Sequence, residues 1–174
     1  MKFLIVIDMQ NDFITGSLPA MGGAEIVESV KAKIKKCREE GYHIIFTRDT
    51  HDEKYLESLE GKYIPIPHCI KGTSGWEIID GLTDPVDDIL DKPTFGSTEL
   101  PAFIKIKAGM TPIEEIHIIG VCTDVCVISN AMILKANFYN NTEIYVDSTC
   151  CAGVTLESHE RALGAINGCN INVI

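Results

Sequence analysis

Two cysteines, Cys122 and Cys126, stand four residues apart in EEIHIIGVCTDVCVISNA (114–131), where an apolar strand-like run gives way to a helix-like one. A thiol at the start of a helix lies near unpaired backbone N–H groups and the positive end of the dipole. That setting favours thiolate, the form that attacks carbonyl carbon. With Thr123 as N-cap, Cys126 falls at the third helical position, and the same N–H groups could receive the oxyanion of a tetrahedral intermediate. A cysteine in an apolar helix is more often packing than chemistry. Cys126 is distinguished by its company, because an acid, Asp8, and an amine, Lys92, close two other strand-like runs. Asp8 could carry the thiol proton, and Lys92 could hold the charge of the set. A second group lies in RDTHDEKYLESLEGKYIPIPHC (48–69). There Asp49 and His51 are two apart and His68 returns from a loop, a donor set suited to a divalent metal of the zinc, iron or manganese kind.

The elements that must present these groups are short. KFLIVID (2–8), YHIIFTRD (42–49), DDILDK (87–92), EIHIIGV (115–121) and TEIYVDS (142–148) are continuous apolar runs rich in Ile and Val, with a weaker sixth, NINVI, at the C-terminus. Continuous hydrophobicity in such short pieces predicts strands buried on both faces. Helix patterns fall between them. GGAEIVESVKAKIKKCREEG (22–41) repeats Ile26, Val30, Ile34 and Cys37 at three- and four-residue steps, and STELPAFIKIK (97–107), TDVCVISNAMILKANF (123–138) and TLESHERALGAIN (155–167) follow later. Strand then helix, repeated, predicts an α/β fold with a mainly parallel sheet and helices on both faces. Ligands of such sheets sit outside the carboxyl ends of the strands. Asp8, Asp49, His51, Lys92, Cys122, Cys126, Asp147 and Ser148 are all expected on that one rim.

The chain of 174 residues carries no Pro/Gly/Ser-rich linker and no repeat, so a single domain over 1–174 is expected. A net charge of −10 disfavours nucleic acid and anionic membrane surfaces as partners and leaves a small molecule as the expected substrate. The run Phe3 to Ile7 is too short for a signal-peptide core or a membrane span, so a cytoplasmic protein is expected. Seven cysteines at irregular spacings, with no CxxC, argue against a disulfide scaffold or a structural zinc finger.

DMQNDF (8–13), the lysine of DKPTFGS (91–97) and GVCTDVCV (120–127) together resemble the isochorismatase-like cysteine hydrolases, over nearly the whole chain. The resemblance implies a three-layer α/β/α sandwich and a catalytic set of Asp8, Lys92 and Cys126. It also implies a cis peptide between Val121 and Cys122 that turns the Cys122 N–H toward the oxyanion beside that of Cys126. Within the family the nicotinamidases carry a metal. On this chain their ligands would be Asp49, His51 and His68 with Glu60 as the fourth, Glu57 being its nearest competitor, and zinc preferred to iron or manganese. In those enzymes the pyridine nitrogen binds the metal, which aims the carboxamide at the thiol. Many have a tryptophan three residues before the second histidine, where this chain has Pro65. Stacking of the ring would then fall to Phe13, Tyr63 or Phe95, in that order. Family members are commonly oligomeric, so a homo-oligomer is expected.

The reading that results is a metal-containing cysteine amidase that converts nicotinamide to nicotinate and ammonia through a thioester. One alternative keeps the same three catalytic groups for an N-carbamoyl or ureido substrate. Another, of a different class, is a non-catalytic metal-binding or redox-sensing protein that uses Cys122 with Cys126, or Cys150 with Cys151, as a switch. Among the remaining polar residues, Gln10 and Asp12 are expected to brace the first loop. His43 and His117 are read as structural, and His159 as part of a solvated helix face.

Overall fold

The computed structural model describes residues 1–174. Its elements run β1 (Lys2–Ile7), α1 (Asn11–Ile14), α2 (Val27–Glu39), β2 (His43–Asp49), α3 (Leu59–Tyr63), β3 (Asp88–Lys92), α4 (Leu100–Ala108), β4 (Glu115–Val121), α5 (Ile128–Asn137), β5 (Glu143–Ala152), α6 (Leu156–Gly168) and β6 (Asn172–Val173). The strands form one sheet in the order β3-β2-β1-β4-β5-β6, and every pair is parallel.

Apolar residues on both faces of the strands generate the layers. Along β1, Phe3, Ile5 and Ile7 join a core with Leu100 and Ile104 of α4, Leu134 of α5 and Ile166 of α6. The alternate residues Leu4 and Val6 join a second core with Val30, Ile34 and Cys37 of α2. Each core removes its side chains from water at about 25 cal/mol per Å² of apolar surface, which is what holds helices to both sides of the sheet. The strand order reverses between β1 and β4, so the crevice at their carboxyl ends is where a ligand is expected. Gly120 lets β4 reach that point. Its φ is +117°, and a Cβ there would lie 2.1 Å from the carbonyl oxygen of Ile7.

Three expectations need correction. The helix predicted over 22–41 begins only at Val27. The helix predicted from Thr123 opens instead with a wide π turn over Thr123–Val127, with Cys122 at the cap position, before α5 proper. The fifth strand continues to Ala152, because the pairing slips from Ile118↔Val146 to Gly120↔Cys151 and so absorbs extra residues in β5. Asp147 and Ser148 therefore leave the rim. Asp147 pairs with Lys33 of α2 at 2.9 Å, and the Ser148 hydroxyl donates to the Ile174 carbonyl at 2.8 Å.

Candidate active site

Asp8 follows the last residue of β1, Lys92 ends β3, and Cys126 lies in the π turn after β4. Parallel register does most of the positioning, since Ile7 is opposite both Thr47 and Gly120 and Asp49 is opposite Lys92. Lys92 Nζ is 2.6 Å from Asp8 Oδ2, 3.5 Å from Asp49 Oδ1 and 3.8 Å from Cys126 Sγ. It also donates to the Thr94 carbonyl at 3.0 Å. The Thr47 hydroxyl donates to Asp8 Oδ1 at 2.7 Å. The carboxylate, the ammonium and the sulfur thus meet at one point, with Asp8 and Lys92 essentially inaccessible to water.

Burial dominates the electrostatics here. It pushes the Cys126 thiol well above its usual range; Lys92 opposes this, while Asp8 and Asp49 add to it. Loss of hydration thus works against the thiolate that the helix dipole was expected to favour. Burial likewise raises Asp8 above the usual carboxylate range, against the pull of Lys92. For Lys92, burial alone would favour the neutral amine, but Asp8, Cys126 and Asp49 outweigh it and hold the ammonium. A carboxylate made more basic and a thiol held beside it form a matched pair for proton transfer.

Next to this group, ligand atoms of Asp49, His51 and His68 all lie within 4.8 Å of one another. His51 Nε2 is 2.9 Å from Asp49 Oδ2 and 3.6 Å from Glu60 Oε1. His68 Nε2 is 3.6 Å from Asp49 Oδ2 and 3.8 Å from Glu60 Oε1. Two ligands held about 2.1 Å from one ion in a tetrahedron stand about 3.4 Å apart, so these separations fit a shared cation. Two further observations agree. His51 Nε2 and Glu60 Oε1 are buried with no hydrogen-bond partner, and His68 Nδ1 is 2.8 Å from the Ile66 carbonyl. A proton on Nδ1 donates there and leaves the Nε2 lone pair free for a metal. Glu57 is exposed and apart from the cluster, so of the two glutamates only Glu60 is brought to it.

A mostly apolar cavity of about 210 Å³ opens onto both groups, lined among others by Phe13, Ile64, Phe95, Asp49, His68, Cys122 and Cys126. The peptide between Val121 and Cys122 is cis. Phe13 and Phe95 reach the cavity, whereas Tyr63 does not and is 80% exposed. In the single turn of α3, Glu60 and Ile64 are four apart and share the inner face, which swings Tyr63 outward.

Several residues do more here than their sequence context suggests. Gln10 is wholly buried. Its amide donates to the carbonyls of Asp49 at 2.8 Å and Trp76 at 2.9 Å and accepts the Asp49 N–H at 2.7 Å. Asp12 accepts the Cys69 N–H at 2.8 Å and so anchors the segment that carries His68. Tyr55 packs its ring 4.6 Å from that of His51 and 4.9 Å from that of His68. The lone aromatic in the polar run DEKYLESLEG was the available sign of that role. His159 lies on a half-exposed face, yet its Nδ1 is 2.8 Å from the Thr123 hydroxyl in the π turn, a contact the helix pattern alone does not suggest.

The chain is similar to known proteins over nearly its whole length. The chain is 31% identical over 173 residues to an uncharacterized isochorismatase family protein of Bacillus subtilis, covering 93% of this chain and 92% of that one. To a nicotinamidase of Saccharomyces cerevisiae it is 27% identical, covering 100% of this chain and 99% of the relative. The crystal structure of a Pyrococcus horikoshii pyrazinamidase in complex with zinc superposes with a TM-score of 0.85 at 28% identity, over 99% of this chain and 98% of that one. The Isochorismatase domain model matches residues 2–174, and the chain belongs to the isochorismatase family of hydrolases.

Proposed function

We propose that this protein is a metal-dependent cysteine amidase that hydrolyses nicotinamide to nicotinate and ammonia. The observation that carries the reading is the meeting, on one 210 Å³ apolar cavity, of Cys126 with Asp49 and His68, backed by Asp8 and Lys92. The names of the yeast and archaeal relatives support the amide as the bond cleaved.

Asp49, His51 and His68, with Glu60, would hold a divalent cation, zinc before iron or manganese. When bound it would act as a Lewis acid that takes the pyridine nitrogen of the substrate. Phe13 and Phe95 would flank the ring. Cys126 passes its proton to Asp8 as the sulfur adds to the carboxamide carbon, and the backbone N–H groups of Cys122 and Cys126 would receive the oxyanion. Asp8 returns the proton to the leaving nitrogen, the C–N bond breaks, and ammonia departs from a Cys126 thioester. Water then adds to the thioester with one proton going to Asp8, the C–S bond breaks, Asp8 returns that proton to the sulfur to restore the thiol, and the product leaves as nicotinate with its carboxyl proton passing to solvent. Throughout, Lys92 keeps the changing charge on Asp8 and sulfur compensated.

The Cys150 with Cys151 form of the redox-switch alternative loses support, because the two side chains pack into opposite faces of the sheet. The deciding experiment is to incubate the metal-loaded protein with nicotinamide, measure ammonia, and examine the Cys126 peptide by mass spectrometry after acid quench. Ammonia release with a nicotinoyl increment on that peptide is the expected result. Turnover that survives in Cys126→Ala would end the assignment.

A further inference from the structure

Two separate segments must stay in register for the thiol to work: the π turn that carries Cys126, and the stretch after β3 that carries Thr94, Phe95 and Ser97. We infer that Asn130, in the first turn of α5, is the positioning residue that locks them together. Asn130 is wholly buried. Its Nδ2 donates to the carbonyl of Cys126 at 2.8 Å and to that of Phe95 at 3.1 Å, and its Oδ1 accepts the N–H of Ser97 at 3.0 Å. Two carbonyls on one side and one N–H on the other leave a single orientation for the amide.

The backbone explains why a side chain is needed. In the wide turn the Cys122 carbonyl is taken by the N–H groups of Val125 and Val127. Ser129 Oγ reaches back to the Val125 carbonyl at 2.6 Å, just as Asn130 reaches back to that of Cys126. Of the two, only Asn130 continues across to the second segment. There it fixes the peptide groups on either side of Gly96, next to the Thr94 carbonyl that holds Lys92 Nζ at 3.0 Å and the Phe95 ring that lines the cavity. The approach is tight. A Cβ on Gly96 would stand 3.0 Å from Ser129 Cβ and 3.1 Å from the Ser129 carbonyl carbon. One amide thus sets the spacing of nucleophile, ammonium anchor and cavity wall, while none of its bonds involves Asp49, His51, Glu60 or His68.

This inference rests on the reading of Cys126 as nucleophile, so its test pairs turnover with a readout independent of substrate. Asn130→Ala and Asn130→Asp, loaded with zinc, are compared with the parent for kcat and KM on nicotinamide, zinc per chain, and the rate at which iodoacetamide alkylates Cys126 as followed by peptide mass spectrometry. The aspartate keeps the shape and an acceptor but cannot donate to the two carbonyls. A displacement of about 1 Å at a reacting group can cost about a hundredfold in rate. Both variants are therefore expected to lose kcat on that scale with slower Cys126 alkylation, nearly unchanged KM and full zinc. Gly96→Ala, which forces the segments apart with the Asn130 amide intact, should show a milder form of the same pattern and decides the matter if the Asn130 variants do not fold. A folded variant with parental kcat and alkylation rate, or a loss that appears only together with loss of zinc, overturns the assignment. A parent that leaves nicotinamide intact while the alkylation difference persists would overturn the substrate instead and leave Asn130 its role.

Discussion

The thiol half and the metal half of the site rest on different kinds of backbone. Asp8 and Lys92 sit at the ends of β1 and β3 and Cys126 in the π turn that follows β4, whereas His51, Glu60 and His68 hang from the stretch between β2 and β3, which contains only a 3₁₀ turn at Tyr55–Glu57 and the five-residue α3. In the first half, parallel register fixes the spacing, as in the pairing of Ile7, the residue before Asp8, with both Thr47 and Gly120. In the second, precision comes from side chains of another region: Gln10 and Asp12, which follow β1, clasp Asp49 and Cys69, and Tyr55 supports both histidines. Sheet ends position groups through the backbone, while long loops need borrowed hydrogen bonds to reach comparable order.

The sharpest test of that division removes the nucleophile. Cys126→Ala should lower kcat by about ten-thousandfold or more while the protein still binds one metal per chain; a metal site lost along with the thiol would show that the halves are not separable. Acid acts on the same half. In the proposed mechanism Asp8 must be ionised to accept the thiol proton, and burial raises its pKa above 3.8, so kcat of the metal-loaded protein should fall tenfold per pH unit below a limb lying above pH 3.8. Metal content followed over the same range separates this loss from protonation of the histidines, and a limb at or below pH 3.8 would contradict the burial argument.

The metal half should fail differently. His68→Ala is expected to lose the metal and about a hundredfold or more in kcat/KM, yet to leave alkylation of Cys126 close to the parental rate. Asp12→Ala should weaken metal affinity about tenfold, the scale of an outer-shell contact, with kcat restored at saturating metal. Tyr63→Ala marks the small end: with its ring 80% exposed and outside the cavity, kcat/KM should stay within about twofold.

What the sequence made legible follows the same line. The strands were readable because continuous Ile and Val runs are a local signal, and Asp8 and Lys92 inherit their places from where those runs stop. His159 on Thr123, Gln10 on Asp49, Asp12 on Cys69 and Asn130 on Phe95 span 36, 39, 57 and 35 residues. No periodicity encodes such pairings. The π turn escaped because it differs from an α-turn by one hydrogen-bond register, and the extended β5 because its slip against β4 depends on a neighbour distant in the chain. The state of the thiol illustrates a third limit: spacing reveals a dipole but not the depth of burial that opposes it.

Lys92 has a consequence beyond catalysis. It is the one ammonium set against Asp8 and Asp49, while Glu60 brings a third carboxylate to the two histidines. Uncompensated charge in so dry a place is costly, and this inventory leaves a deficit of two positive charges. With those carboxylates ionised and both histidines neutral, electroneutrality would favour a divalent ion at the proposed metal site before coordination selects the element: a monovalent ion would fall one charge short and a trivalent one would overshoot by one.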